Sequence, residues 1–417
     1  MKKIVIEGNQ LLSGTIKISG AKNSAVALIP AAILSDEITT ILNVPNISDK
    51  GALVDIIKLL NCTVKESEDT LTIDSRDCKN KCIPSELSSK LRASYYFMGV
   101  LLSKFKKVEV YYPGGCNIGA RQIDFHLKGF ESLGATILME DDKFTITAEE
   151  LIGTPIFLDF PSVGATKNLM FAAVKAKGIT TINNAAKEPE VVNVATFLNN
   201  MGAKIIGAGT NKITIEGVDH LGSAIIEVIP DRIEAATYLT LGALIGDPIK
   251  IDNIIPEHLE GLTDKLEEAG VNLVIGKKDI TVSKPDYIKA VNVKTLVYPG
   301  FVTDMAQPFS VLMTQATGKS FLEETIHQNR MGQCLYLNNM GANIHVDGQI
   351  AFIEGPTKLK GQKVVATDLR AGASLIVAGL IAEGTTEITE IDHILRGYEN
   401  IEQKLINVGA KIRTEDI

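Results

Sequence analysis

One short pattern recurs six times along the 417 residues: a helix end, a turn built on glycine or asparagine, and the start of a strand. It stands at Leu60-Asn61-Cys62, Leu133-Gly134-Ala135, Met201-Gly202-Ala203, Ala269-Gly270-Val271, Met340-Gly341-Ala342 and Val408-Gly409-Ala410, at spacings of 73, 68, 68, 71 and 68 residues. A fixed period of this kind constrains the fold more than any local propensity. Glycine just past a helix end is explained by the left-handed conformation that closes a helix. Each unit reads as a strand, a helix rich in Ala and Leu, a short β-branched strand such as Thr180-Thr181-Ile182, a second helix and two strands.

The sixth unit lacks its closing strands, since the chain ends soon after Lys411-Ile412. The missing alternation stands at the other end, in Ile4-Val5-Ile6-Glu7-Gly8 and Thr15-Ile16-Lys17-Ile18. The N-terminal strand is therefore expected to complete the last unit. A chain of this length suits two cores of about 200 residues each. Three units per domain place one domain at residues 20–222 and the other at residues 1–19 plus 223–417. A continuous solenoid is the alternative, but its repeats run about 20 to 50 residues. The expected class is α/β.

Lys plus Arg number 42 against 50 Asp plus Glu, a net charge of -8 without a basic arm, so nucleic acid is not an expected partner. Trp is absent. No apolar run approaches the roughly 18 to 20 residues of a membrane span, and Glu7 interrupts the apolar start, so a cytoplasmic location is expected. Five cysteines (Cys62, Cys78, Cys82, Cys116, Cys334) form no disulfide framework, and Cys78 with Cys82 gives too few ligands for structural zinc. Phosphate-loop, His-Glu-x-x-His and dinucleotide fingerprints are missing. Small-molecule chemistry is the remaining class.

Aligning the units places their first helix starts at Lys22, Arg92, Ser162, Asp231, Asp304 and Arg370. The second helices begin near Asp49, the loop 113–121, Glu188, Glu257, Arg330 and Arg396. Cations at helix starts oppose the helix dipole, so Lys22, Arg92, Arg370 and Arg396 are electrostatically misplaced unless they face an anion. Taken singly, each is explained by a surface ion pair. Taken together, they suggest a cleft lined by Lys, Arg, Asp and Glu. Cys116 sits in Pro113-Gly114-Gly115-Cys116-Asn117-Ile118-Gly119-Ala120-Arg121, a polar loop in which a thiol near Arg121 gains reactivity. His126 and His393 are expected in supporting positions.

Several stretches resemble one family: Ile18-Ser19-Gly20-Ala21-Lys22-Asn23-Ser24-Ala25, the Cys116 loop, Ala165-Thr166, Glu188-Pro189-Glu190 and Pro230-Asp231-Arg232-Ile233-Glu234. Thr303-Asp304-Met305, Asn329-Arg330, Thr367-Asp368-Leu369-Arg370 and Arg396-Gly397-Tyr398-Glu399 continue the resemblance over essentially the whole chain. They are similar to the motifs of the UDP-N-acetylglucosamine enolpyruvyl transferases. The resemblance implies a two-domain inside-out α/β barrel with the N-terminal strand in the C-terminal domain. It implies transfer of the enolpyruvyl group of phosphoenolpyruvate to the 3'-hydroxyl of UDP-N-acetylglucosamine, in peptidoglycan synthesis, with no metal or organic cofactor.

The implied roles are specific. Cys116 is the general acid and Asp304 the base; Lys22, Arg121 and Arg396 serve the phosphate; Arg330 and Arg370 serve the carboxylate. Asn23, Arg92, Arg121, Gln122, Ile123, Asp124, Phe125, Ser162, Val163 and Ile326 contact the nucleotide sugar. Alkylation of Cys116 by fosfomycin is also implied. Ser48, Phe160, Gln122 and Asn193 depart from residues common in the family. Two readings stay open beside this one: the sister transferase acting on shikimate 3-phosphate, and a catalytically idle UDP-sugar-binding paralogue.

Overall fold

The computed structural model describes residues 2–114 and 123–416. Its described residues form two compact units, one of residues 20–229 and one of residues 2–19 with 230–416. The strand Ala224–Glu227 pairs in parallel with Ile38–Leu42, so it belongs to the first unit, which runs to residue 229, past the expected boundary at 222.

Three helices fill the centre of each unit. In residues 20–229 they are Lys22–Ala31, Tyr96–Phe105 and Val163–Ala173, buried along almost their whole length. In the other unit they are Arg232–Ile245, Thr303–Gln315 and Leu369–Ile381, the first with every residue buried. A helix apolar all round is stable only when wrapped on all sides. Small residues let these axes close: a Cβ added at Gly99 would lie 2.3 Å from the Asn168 carbonyl oxygen. Two hydrophobic cores result, one per unit.

Among the described residues six sheets cover the helices, and five of them follow one plan in full. Ile179–Asn183 illustrates it: parallel to Pro155–Phe157 on one side, antiparallel to Lys212–Glu216 on the other, with Lys204–Ile206 outermost. Its burial alternates, so Thr180 and Ile182 face the helices. In the second unit of the repeat the parallel partner shrinks to a single bridge, Ile83 to Val110. The chain start fills the gap in the last sheet: Lys2–Glu7 lies between Thr385–Thr389 and Ile412–Asp416, antiparallel to both. The next strand, Leu12–Lys17, lies parallel to Gly246–Asp252 and so serves the fourth sheet.

The six helix-end turns are built alike. Asn61, Gly134, Gly202, Gly270, Gly341 and Gly409 all have φ between 66° and 106°. In each, the following N–H reaches back five residues, as from Ala135 to the Phe130 carbonyl (3.0 Å) and from Ala342 to Leu337 (2.9 Å). These are Schellman closures, and they account for the glycine period. Among the described residues no helix is long and apolar enough to cross a membrane.

Candidate active site

Each unit gathers part of the expected site at the starts of its central helices. In residues 20–229, Lys22 opens the helix Lys22–Ala31 and its Nζ lies 2.9 Å from Asp49 Oδ2, at the start of helix Ser48–Leu59. The misplaced cation is thus paired with an acid from the unit's second helix. Asn23 follows, and its carbonyl accepts from the buried Lys167 Nζ at 2.7 Å. Arg92 begins a 3-10 turn, Arg92–Tyr95, with its guanidinium 5.7 Å from the Tyr95 ring centre. Burial draws the Arg92 pKa down.

Ser162 caps the helix Val163–Ala173, its hydroxyl accepting from the Ala165 N–H at 3.2 Å. Val163 and Gly164 open that helix, and a Cβ at Gly164 would meet the Tyr95 hydroxyl and the His126 ring. The Arg92 turn, the Ser162 cap and the helix Asp124–Ser132 therefore converge. Within this last segment Ile123 is buried, Asp124 exposed and Phe125 half-buried. His126 lies buried against Tyr95 and shares a 2.9 Å hydrogen bond with Asn168; burial pulls its pKa down to about 3, so the ring is neutral. Cys116, Arg121 and Gln122 lie outside the described residues.

In the other unit Asp304 stands in the first turn of Thr303–Gln315, a quarter of its side chain exposed. Arg330 Nη2 donates to Oδ1 at 2.6 Å and Arg370 Nη2 to Oδ2 at 3.1 Å. Burial acts to raise the Asp304 carboxyl, but the charges of Arg330 and Arg370 outweigh it and hold it well below the usual carboxylate range. Both guanidinium groups are almost fully buried, at 4% and 3% side-chain exposure. Arg330 Nε and Arg370 Nε and Nη1 are buried without a hydrogen-bond partner among the described residues. Buried donors of this kind are costly unless a ligand fills them.

Arg370 owes its place to the cap of helix Leu369–Ile381, where Asp368 Oδ1 accepts from the Arg370 and Ala371 N–H groups at 2.9 and 3.1 Å. Its guanidinium lies 5.5 Å from the Tyr398 ring centre, and the Tyr398 hydroxyl is 2.8 Å from Thr237 Oγ1. Arg396 corrects an expectation. It ends the short helix Asp392–Leu395 rather than opening one, and the next helix begins at Ile401. A cation there complements the dipole. Ile326 lies half-buried in the loop after strand Gly318–Glu323.

Of the departures, Asn193 has a structural reason: its amide donates to the Glu227 carbonyl at 3.1 Å, which a carboxylate cannot do, while its oxygen accepts from Ser24. Thr303 and Tyr398 lie within the family-like motifs without an implied role, and both touch the arginines here. Glu324 carries no signal in the sequence, because the groups it binds come from several separate segments.

Comparison with known proteins bears on the whole chain. The family profile described as EPSP synthase (3-phosphoshikimate 1-carboxyvinyltransferase) matches residues 6–405. UDP-N-acetylglucosamine 1-carboxyvinyltransferase 2 of Geobacillus kaustophilus (strain HTA426) is 52% identical over 415 residues, covering 100% of this chain and 97% of the relative. The protein of the same name from Streptococcus pneumoniae (strain ATCC BAA-255 / R6) is 51% identical, covering 99% of each. The crystal structure of the enolpyruvyl transferase NikO from Streptomyces tendae superposes with a TM-score of 0.90 at 26% identity, over 99% of this chain and 98% of that one. EPSP synthase from Acinetobacter baumannii shares the fold, with a TM-score of 0.78 at 17% identity over both full chains. The chain belongs to the EPSP synthase family of enolpyruvyl transferases, and within it to the UDP-N-acetylglucosamine 1-carboxyvinyltransferases.

Proposed function

We propose that this chain transfers the enolpyruvyl group of phosphoenolpyruvate to the 3'-hydroxyl of UDP-N-acetylglucosamine with release of phosphate, the first committed step of peptidoglycan synthesis. Relatives about half identical over their full length carry the name of that reaction. The observation that carries the reading is the Asp304 carboxylate gripped by Arg330 and Arg370, with Arg330 Nε and Arg370 Nε and Nη1 buried without a hydrogen-bond partner among the described residues. Planar guanidinium groups with spare donors match the carboxylate of an incoming donor substrate.

That grip has a mechanistic consequence. A general base needs a pKa near the working pH, and Asp304 at rest is far below it. When a substrate carboxylate takes up the spare donors of Arg330 and Arg370, their positive charge is shared and Asp304 regains basicity. In the assigned roles, the Cys116 thiol gives a proton to the methylene carbon, the 3'-oxygen attacks the adjacent carbon, and Asp304 accepts the hydroxyl proton. Loss of phosphate and of a methyl proton then restores the double bond. Lys22, Arg121 and Arg396 hold the phosphate. Asn23, Arg92, Ser162, Val163, Ile326 and residues 121–125 hold the nucleotide sugar. Residues 20–229 and the remainder act as the two domains of the enzyme.

Phosphate release from phosphoenolpyruvate tests this, with UDP-N-acetylglucosamine, shikimate 3-phosphate or no acceptor, in wild type and Lys22→Ala. Release that requires the nucleotide sugar and Lys22 supports the reading. Release with shikimate 3-phosphate instead would assign the reaction named by the family profile, and binding without release would assign an idle paralogue.

A further inference from the structure

Glu324 is a buried carboxylate, 3% exposed, directly after strand Gly318–Glu323. A carboxylate out of water persists only when its lone pairs are filled. Four donors fill them. Oε1 accepts from the Thr295 hydroxyl at 3.1 Å and from the N–H groups of Ile326 and His327 at 2.8 and 3.0 Å. Oε2 accepts from the Thr303 hydroxyl at 2.6 Å. The Thr303 oxygen accepts in turn from Arg330 Nη1 at 2.8 Å, beside the Arg330 contact to Asp304. The Glu324 backbone is anchored as well, donating to the Gln349 carbonyl at 2.8 Å and accepting from Gln349 Nε2 at 2.9 Å.

We propose that Glu324 is a positioning residue of the reaction, aiming the Arg330 guanidinium through Thr303 while folding the Ile326 turn through two backbone amides. The inference rests on the carboxyvinyl-transfer reading above. Its logic is directional. An ionised carboxylate only accepts, so the Thr303 hydroxyl must spend its proton on Glu324 and turn a lone pair to Arg330. Arg330, with its Nε unpartnered, depends on that lone pair and on Asp304 to fix its plane. The same carboxylate reaches the turn that carries Ile326, so the residues assigned to the two substrates share one anchor.

Glutamine at 324 keeps the shape and breaks the direction. Its oxygen satisfies Thr295, Ile326 and His327, which leaves its NH2 facing Thr303. Thr303 then receives donors from both sides and its proton is driven toward Arg330. The turn survives and the guanidinium loses its aim.

The test is steady-state kinetics on the full chain for wild type, Glu324→Gln, Thr303→Val, Thr303→Ser and the double variant Glu324→Gln/Thr303→Val. Glu324→Gln and Thr303→Val each raise KM for phosphoenolpyruvate about tenfold, with KM for UDP-N-acetylglucosamine within about twofold of wild type. Thr303→Ser recovers the defect of Thr303→Val, and the double variant is no worse than either single one. Lowered thermal stability with both KM values unchanged, or additive defects in the double variant, overturns the proposal. A wild type that releases no phosphate with UDP-N-acetylglucosamine overturns the reaction instead. The positioning is then read without turnover from proton exchange at the Arg330 side chain by NMR: faster in Glu324→Gln and Thr303→Val supports it, and unchanged exchange refutes it.

Discussion

Asp304 and Arg370, 66 residues apart in the chain, meet at 3.1 Å with the arginine side chain almost sealed from solvent. Burial by itself lowers the Arg370 pKa, but Tyr398, Asp304 and Asp231 outweigh it and raise it, while Asp304 is held low. The pair is charged at any working pH.

Removing that charge without changing the shape isolates its chemical part. Asp304→Asn is expected to lower kcat by about 100-fold or more, because an amide accepts no proton. KM for phosphoenolpyruvate does not rise, since Arg330 and Arg370 lose a competitor for their donors. The acid limb of stability changes too. A carboxyl whose folded pKa lies below its unfolded one adds stability above about pH 4, and this is lost as the pH falls. Denaturant unfolding from pH 7 to pH 3 should show a shallower acid loss in the variant; a parallel loss refutes the assignment of that limb to Asp304.

A second buried pair governs the end of the N-terminal segment. Lys404 Nζ lies 2.5 Å from Glu234 Oε1 and 2.7 Å from Ser19 Oγ, and the Ser19 N–H donates to Glu234 Oε2 at 2.9 Å. Burial pushes the Glu234 carboxyl up to about 7 against the pull of Lys404. Lys404→Met should destabilise the protein by about 3–5 kcal/mol by stranding a buried acid, and Glu234→Gln/Lys404→Met should recover most of it. In Lys404→Met the Glu234 pKa rises further above its wild-type value of about 7, so the cost of the substitution grows as the pH rises past about 7. Urea unfolding at pH 5 and pH 8 decides it.

His126 offers a cleaner titration. Its folded pKa of about 3 lies below the ordinary imidazole value, through burial first and the Arg92 charge second. Its ring NMR signals should stay constant from pH 8 to pH 5. Protonation is then available mainly to the unfolded chain, so the His126 contribution to stability is present above about pH 6.5 and falls away toward acid. A titration midpoint near 6.5 in the folded protein contradicts this.

The helix closures can be tested against each other. A Cβ at Gly202, with φ at 105°, meets nothing within 4 Å, so Gly202→Ala should cost only the backbone strain, about 1 kcal/mol. Asn61 holds the equivalent place with φ at 66° and donates to the Asp77 carbonyl at 3.0 Å. Asn61→Gly should leave stability within about 0.5 kcal/mol, the eased backbone offsetting the lost exposed hydrogen bond. Thermal unfolding of both variants gives the comparison.

The features legible in the sequence follow from local physics. A left-handed residue at a helix end, an Asp or Ser cap, and alternation in a strand each act over a few residues, so the six-unit period, the element order and the class are legible. The placement of Lys2–Glu7 in the last sheet is legible for the same reason, but the sequence does not show that the last unit keeps one closing strand of its own, Ile412–Asp416, or that Leu12–Lys17 joins the fourth sheet. The motifs around Lys22, Asp304, Arg330 and Arg370 are legible as chemistry. The place of Arg396 at a helix end is not, because the four-residue helix before it has no periodicity to announce it.

The sequence by itself determined the repeat, the α/β class and the residues that carry charge. Only the tertiary structure decided that Lys22 is answered by Asp49, that Asp304 is shared between Arg330 and Arg370, and that Glu324 steers Arg330 through Thr303. The physical reason is range. A helix cap is settled within four residues, whereas the partner of a buried charge is chosen by whichever segment the packing of the central helices brings within 3 Å.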